Sequence, residues 1–395
     1  MKKLLTIRFT VVVVIFALIS GTHVFAGALS TSGQGSRPVS MGGAFTAVAD
    51  DGACIYYNPA GMSQINGTDI EVGMSLILPK IKYEMQNGAV QESTKAAFGP
   101  SLFFTHAFTD KFNAGLGIYS PYAREANFGD DLANGFLSQN SKMVRTDFSP
   151  VVSYQLFEQI SAGIGLIGSY GVIDQSIPAG PTLRINDKSD GFGLGGIAGL
   201  LWKINEYIKV GGTYRSRMTV NQHGDRKMEQ DGAAITSDAS TDVHYPSSLG
   251  MGIAIMPIEK LTLALDGDWY EWSYMKTITT KTDLWPDSTA VLNTDNSWDI
   301  RIGGEYKLPK DWAVRAGYAY IQGAIPNTTI MPCKPDANAH ELDIGIGKYW
   351  RHWKVELNYE YLFANEEQSS ANIYGYDGKY NITQHIIGLE AAYIF

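Results

Sequence analysis

The chain has 395 residues, 45% of them hydrophobic and 12% aromatic, with 42 glycines and a formal charge of -9. This acidic balance argues against nucleic acid as a partner. Two cysteines and seven scattered histidines exclude a disulfide scaffold, and they form no His/Cys cluster with metal-ligand spacing, so neither a metal nor a cofactor is expected.

Residues 1–26 read as an export signal. Lys2, Lys3 and Arg8 precede the apolar run Phe9 to Ile19, and Val24-Phe25-Ala26 places small residues where a signal peptidase reads. The apolar run is shorter than the roughly 20 residues a membrane helix needs. Cleavage after Ala26 removes three basic residues and no acidic ones, so -9 becomes -12.

Residues 27–67 do not alternate like a strand. Met41, Phe45, Val48, Ile55, Tyr56, Tyr57 and Met62 make the segment too apolar for a free tail, and Gly42, Gly43, Ala44 and Ala47 allow close packing. A plug inside a barrel is the expected arrangement.

Residues 68–395 alternate in segments of about ten residues, joined in turn by short and long connections. The short ones are Thr109-Asp110-Lys111, Leu156 to Gln159, Ile204 to Tyr207, Pro257 to Lys260, Leu308 to Asp311 and Arg351-His352. Polar stretches of about 16 to 25 residues separate the other pairs, including Asp174 to Asp190 and Asn221 to Asp242. Six short turns and seven long loops give fourteen strands. The expected fold is all-β, a 14-stranded antiparallel transmembrane β-barrel with its short turns in the periplasm.

Parity sorts the faces. Trp353, Val355, Leu357, Tyr359, Tyr361 and Phe363 suit lipid, whereas Lys354, Glu356, Asn358 and Glu360 do not. The last strand ends in Phe395, a feature expected to engage the barrel-assembly machinery. Trp202, Tyr207, Trp312, Trp350 and Trp353 predict a periplasmic aromatic girdle, and Trp269, Trp272 and Trp298 an outer one. The inward faces carry many carboxylates, with Arg145, Arg301 and Arg315 as candidate lumenal cations. Cys54 precedes the barrel and Cys333 falls in a late outer loop, so two unpaired thiols are favoured over a disulfide.

The stretch Gly33 to Met62 carries Arg37, Met41-Gly42-Gly43-Ala44, Ala49-Asp50-Asp51 and Tyr57-Asn58-Pro59-Ala60-Gly61. It resembles the plug of the FadL-type outer-membrane transporters of long-chain fatty acids and other hydrophobic compounds. Pro150 to Tyr154, Gly163 to Leu166, Asp268 to Ser273 and Arg315 to Tyr318, followed by Pro326 and Pro335, are similar to that family's barrel motifs in order. The resemblance implies uptake of a hydrophobic small molecule: capture at outer loops, binding in the lumen and lateral exit into outer-membrane lipid through a kink in the third strand. The third strand is expected to run from Phe112 to about Tyr122, and Gly115 and Gly117, or Ser120 and Pro121, are the candidate sites of that gate. Phe128, Leu132, Phe136 and Leu137 are candidates for the capture surface. A monomer is expected. A general diffusion porin and a structural or adhesive barrel are the competing readings. No Gly-x-Ser-x-Gly segment and no histidine dyad points to an enzyme.

Overall fold

The computed structural model describes residues 33–129, 140–179 and 182–395. The capture candidates Leu132, Phe136 and Leu137 and the export signal lie outside the described residues.

Fourteen antiparallel strands close into a barrel. They are β1 (Thr68–Met85), β2 (Ala97–Ala107), β3 (Phe112–Asn127), β4 (Asn140–Gln155), β5 (Ile160–Pro178) and β6 (Leu183–Lys203). β7 and β8 each come in two pieces, Ile208–Arg215 with Met218–Gln230, and Ala233–Tyr245 with Ser248–Ile258. There follow β9 (Leu261–Tyr270), β10 (Ser297–Leu308), β11 (Trp312–Ile321), β12 (Ala339–Trp350), β13 (Trp353–Ala364) and β14 (Gly378–Ile394). β14 closes the ring on β1, from Asp69 opposite Ile394 to Met85 opposite Gly378. Closure satisfies the backbone in hydrocarbon, where an open edge would leave N–H and C=O groups unpaired.

The outer face is apolar, with Val72, Met74, Leu166, Leu194, Leu265, Ile302, Ile344, Leu357, Ile387 and Leu389 exposed. The inner face of the same strands buries Asp266, Asp299, Arg301, Glu305, Arg315, Glu356 and Glu390. Such a surface fits an integral outer-membrane barrel.

Three details differ from the sequence reading. Two of the seven expected long loops are tight connections, because β5 pairs with β6 as far as Pro178 opposite Arg184, and β7 with β8 as far as Gln230 opposite Ala233. The polar stretches 174–190 and 221–242 are therefore mostly strand. Beyond the bilayer neither face meets lipid, so polar residues occupy both and the alternation that marks a membrane strand disappears.

Trp272 is no girdle residue. After Tyr270 the chain turns into a single 3₁₀ turn, Trp272–Tyr274, and the Trp272 ring is fully buried, edge-on to Tyr122 at 5.9 Å. Trp269 and Trp298 do face outward.

The third difference concerns β3, which extends beyond Tyr122 to Asn127. Its pairing with β2 ends at Leu102 opposite Ile118, and from Tyr119 on the recorded ladder partner is β4 alone. Gly117 through Ala126 are buried on both faces, so the upper arm of β3 runs inside the wall.

Replacing Leu389 by Arg, in the apolar belt, is expected to cost about 2–4 kcal/mol if it lies near the bilayer midplane. Urea titration of the barrel folded into lipid vesicles measures it.

Candidate functional site

Residues 33–67 fold through two short helical turns, α1 (Ser36–Val39) and α2 (Cys54–Tyr57), and the 3₁₀ turn Pro59–Gln64. Almost all of this segment from Ser36 to Met62 is buried against the inward faces of strands around the barrel. The Asn58-Pro59-Ala60-Gly61 motif has a mechanical explanation. Asn58 accepts from the Ala60 N–H at 3.2 Å, capping the turn, and its amide donates to the carbonyls of Thr46 at 2.8 Å and Leu200 at 2.9 Å. Pro59 starts the turn, where a missing N–H costs nothing. A Cβ on Gly61 would lie 2.1 Å from the Ala49 carbonyl oxygen. Gly42, at φ 67°, lets the chain pass flat over β11, where a Cβ on Gly317 would meet the Gly42 nitrogen at 2.0 Å.

Charges lock this segment to the wall. Arg37 reaches Asp50 at 2.6 Å, Asp51 at 3.2 Å and Glu305 on β10 at 2.8 Å. Arg315 joins the same network through Glu305 at 2.6 Å and Glu356 at 2.5 Å. Asp266 accepts from the N–H groups of Phe45 and Thr46 at 2.8 and 2.7 Å. Arg301 pairs with Asp299 at 2.9 Å and Asp268 at 3.4 Å and donates to the Gly42 carbonyl at 3.1 Å. Arg145 is held bidentately by Asp147 at 2.9 and 2.7 Å and stacks on Tyr122 and Tyr245. The three candidate cations are thus committed to protein carboxylates, as a water-poor interior requires.

The candidate gate residues divide. Gly115 and Gly117 keep regular pairing with β2 and β4, and a Cβ on either would meet Ile55 at 2.9 and 2.8 Å. Their smallness serves packing against the N-terminal segment. The irregularity falls instead at Ser120 and Pro121. The register with β4 passes from Tyr119 opposite Asp147 to Tyr122 opposite Arg145, so two residues of β3 stand against Thr146. Pro121 has no N–H to offer, and Gln34 donates to the Ser120 carbonyl at 3.1 Å. On the other side of the break, Ala97 to Ser101 of β2 pair with β1. Above it Asn127 donates to Ser93 at 2.8 Å, and Lys95 pairs with Glu125.

Met143, opposite Arg124 of the arm, borders a cavity of about 310 Å³, lined also by Ile173, Ile177, Ile278 and Met331 and by the charged Asp187 and Arg226. Lys334 also lines it. This lysine lies on the 322–338 loop, is only 7% exposed and has no ion pair among the described residues. Burial pulls its ammonium below the ordinary range; Cys333 and the cavity carboxylate Asp187 oppose that shift, and Arg124 adds to it. Arg124, on the β3 arm, donates to the Pro335 carbonyl at 2.8 Å and leaves Nε and Nη1 without partners. Sequence reasoning missed both residues. A usable signal was present in the apolar Ile325, Ile330 and Met331 of a supposedly wet outer loop. Phe128 is buried in the same core. Cys54 and Cys333 are buried and unbonded.

A closed barrel with an apolar belt, a charged interior and a chain segment wedged within it defines an integral outer-membrane barrel. The chain belongs to the family of outer membrane protein transport proteins (OMPP1/FadL/TodX), which it matches over residues 16–395. It is 24% identical over 350 residues to a long-chain fatty acid transport protein of Escherichia coli, covering 76% of this chain and 78% of that one. Its fold matches a Pseudomonas aeruginosa FadL homologue at a TM-score of 0.82 with 19% identity, over 95% of this chain and 100% of that one. It also matches the P. putida toluene transporter TodX at 0.75 with 19% identity, over 92% and 99% respectively.

Burial and the neighbouring Glu71 push the Asp51 carboxyl up to about 7, against the pull of Arg37 and Lys354, with Asp50 acting in the same upward sense as Glu71. The folded state then holds a proton that the unfolded chain releases near the ordinary aspartate value of 3.8. This contribution is complete below that pH and is lost as pH rises through 7. Limited proteolysis within 33–67 is expected to be slower at pH 5.5 than at pH 8, with the Asp51→Asn variant losing most of the difference.

Proposed function

We propose that the chain takes up hydrophobic compounds bearing an anionic head group, holds them in the cavity beneath the 322–338 loop, and releases them sideways between β2 and β3. Residues 33–67 act as the plug that closes the straight path to the periplasm.

The observation that carries the reading is the departure of β3 from β2, together with a lumenal cavity whose lining reaches Met143, the β4 residue opposite Arg124 of the β3 arm. Each methylene that leaves water gains roughly 0.8 kcal/mol, so an aqueous pore would strongly oppose passage of an alkyl chain. A route through the wall into hydrocarbon avoids that barrier. The carboxylate class is supported by Lys334, since an unpaired buried ammonium is costly and an incoming anion offsets the cost. The related E. coli protein is described as a long-chain fatty acid transporter and TodX as a toluene transporter, so apolar cargo is common to both.

Lys334→Met is expected to weaken binding of a long-chain carboxylate about tenfold, the loss of one charge-assisted hydrogen bond of about 1.5 kcal/mol, and to leave toluene binding unchanged. Fluorescence displacement on the purified protein reads both, and equal effects on the two ligands would refute the anionic class. Deleting Ser120 in a chain that also carries Pro121→Thr removes the extra residue facing Thr146. Uptake in a deletion strain should fall at least tenfold while the barrel stays folded by gel mobility; undiminished uptake would refute the lateral route.

A further inference from the structure

Three further carboxylates lie together in the lumen. Asp343 on β12 is directly opposite Glu360 on β13, and Glu341 lies two residues along on the same inward face. One carboxylate oxygen from each lies within 4.8 Å of the others, and all three residues are buried. Several lumenal acids are matched by protein donors: Asp147 has Arg145, Asp187 has Arg226, Asp69 and Glu71 share Lys354, and Asp266 has two backbone N–H groups. Among the described residues, no basic or amide group donates to any of the four carboxylate oxygens of Glu341 and Asp343, which are 0% and 2% exposed and have only each other within reach for a shared proton. Arg301, whose field reaches both, is already held by Asp299, Asp268 and the Gly42 carbonyl.

Buried acids in this state either keep their protons or share a cation. The donor set is oxygen only, which suits a hard divalent ion and disfavours zinc or copper. Calcium–oxygen bonds of about 2.3–2.6 Å place opposed ligands up to about 5 Å apart, which accommodates the observed spread. Magnesium, at about 2.1 Å, spans only about 4.2 Å and demands stricter geometry.

We propose that Glu341, Asp343 and Glu360 form a structural calcium site in the lumenal wall. The ion bridges both strands of the β12–β13 hairpin and completes the charge balance of the wall facing the N-terminal segment, where the field of Glu341 reaches Tyr57. The site does not rest on the proposed cargo or exit route.

The test uses the full-length mature chain refolded from urea into detergent after EDTA treatment, free of lipopolysaccharide, with terbium as the probe and calcium as competitor. One terbium per chain should bind during refolding and be displaced by calcium. Glu341→Gln with Asp343→Asn should lower its affinity at least a hundredfold, with heat-modifiable gel mobility reporting that the barrel has formed. Glu360→Gln alone serves if the double variant does not fold. Absence of stoichiometric binding at millimolar calcium, or binding unchanged in a folded variant, would overturn the assignment.

Discussion

The hydrocarbon of the bilayer cannot satisfy a peptide group, and from that constraint most of this structure follows. Every strand that crosses must pair on both edges, so β14 must return to β1. Closure in turn creates an interior shut off from lipid, and the two-residue period sends alternate side chains there. Leu389 and Ile387 therefore face the membrane, while Glu390, the residue after Leu389, faces inward and accepts from the Ser36 N–H at 3.3 Å.

That interior is not filled as a soluble core is filled. Backbone from the N-terminal segment lies against small residues of the wall, and charges of the wall hold it through Arg37, Asp266, Arg301 and Arg315. Removing one partner of such a buried pair strands the other, at about 3–5 kcal/mol. The apolar space that remains lies toward the outer end, around Met143, Ile173 and Met331. β3 is where the wall gives up its pairing with β2, and its upper arm stands one strand away from that space, opposite Met143.

The resemblance of Gly33 to Met62 to a known plug was legible because its residues answer local demands. Asn58 caps a turn and Gly61 yields to the Ala49 carbonyl. The strands near the C-terminus were equally plain, since lipid on one face and charge on the other leave a strict alternation. Where both faces are wet the pattern vanished, and the outer hairpins of β5–β6 and β7–β8 read as loops. Trp272 was assigned by parity beyond the point where its strand ends. Arg145, Arg301 and Arg315 could be named as inward cations, but their partners sit on the same strand, on strands one or two places away and in the N-terminal segment.

The sequence by itself determined the architecture: strand number, face, closure and family are written in periodicities and motifs that depend on nearest neighbours along the chain. Tertiary structure alone decided which charges are matched and which are left over. Glu341, Asp343 and Glu360 become a cluster, and Lys334 a buried ammonium in a cavity it shares with Asp187 and Arg226, only once closure fixes their distances. Electrostatic pairing depends on separation in space and on exclusion of water, and neither is a property of order along the chain.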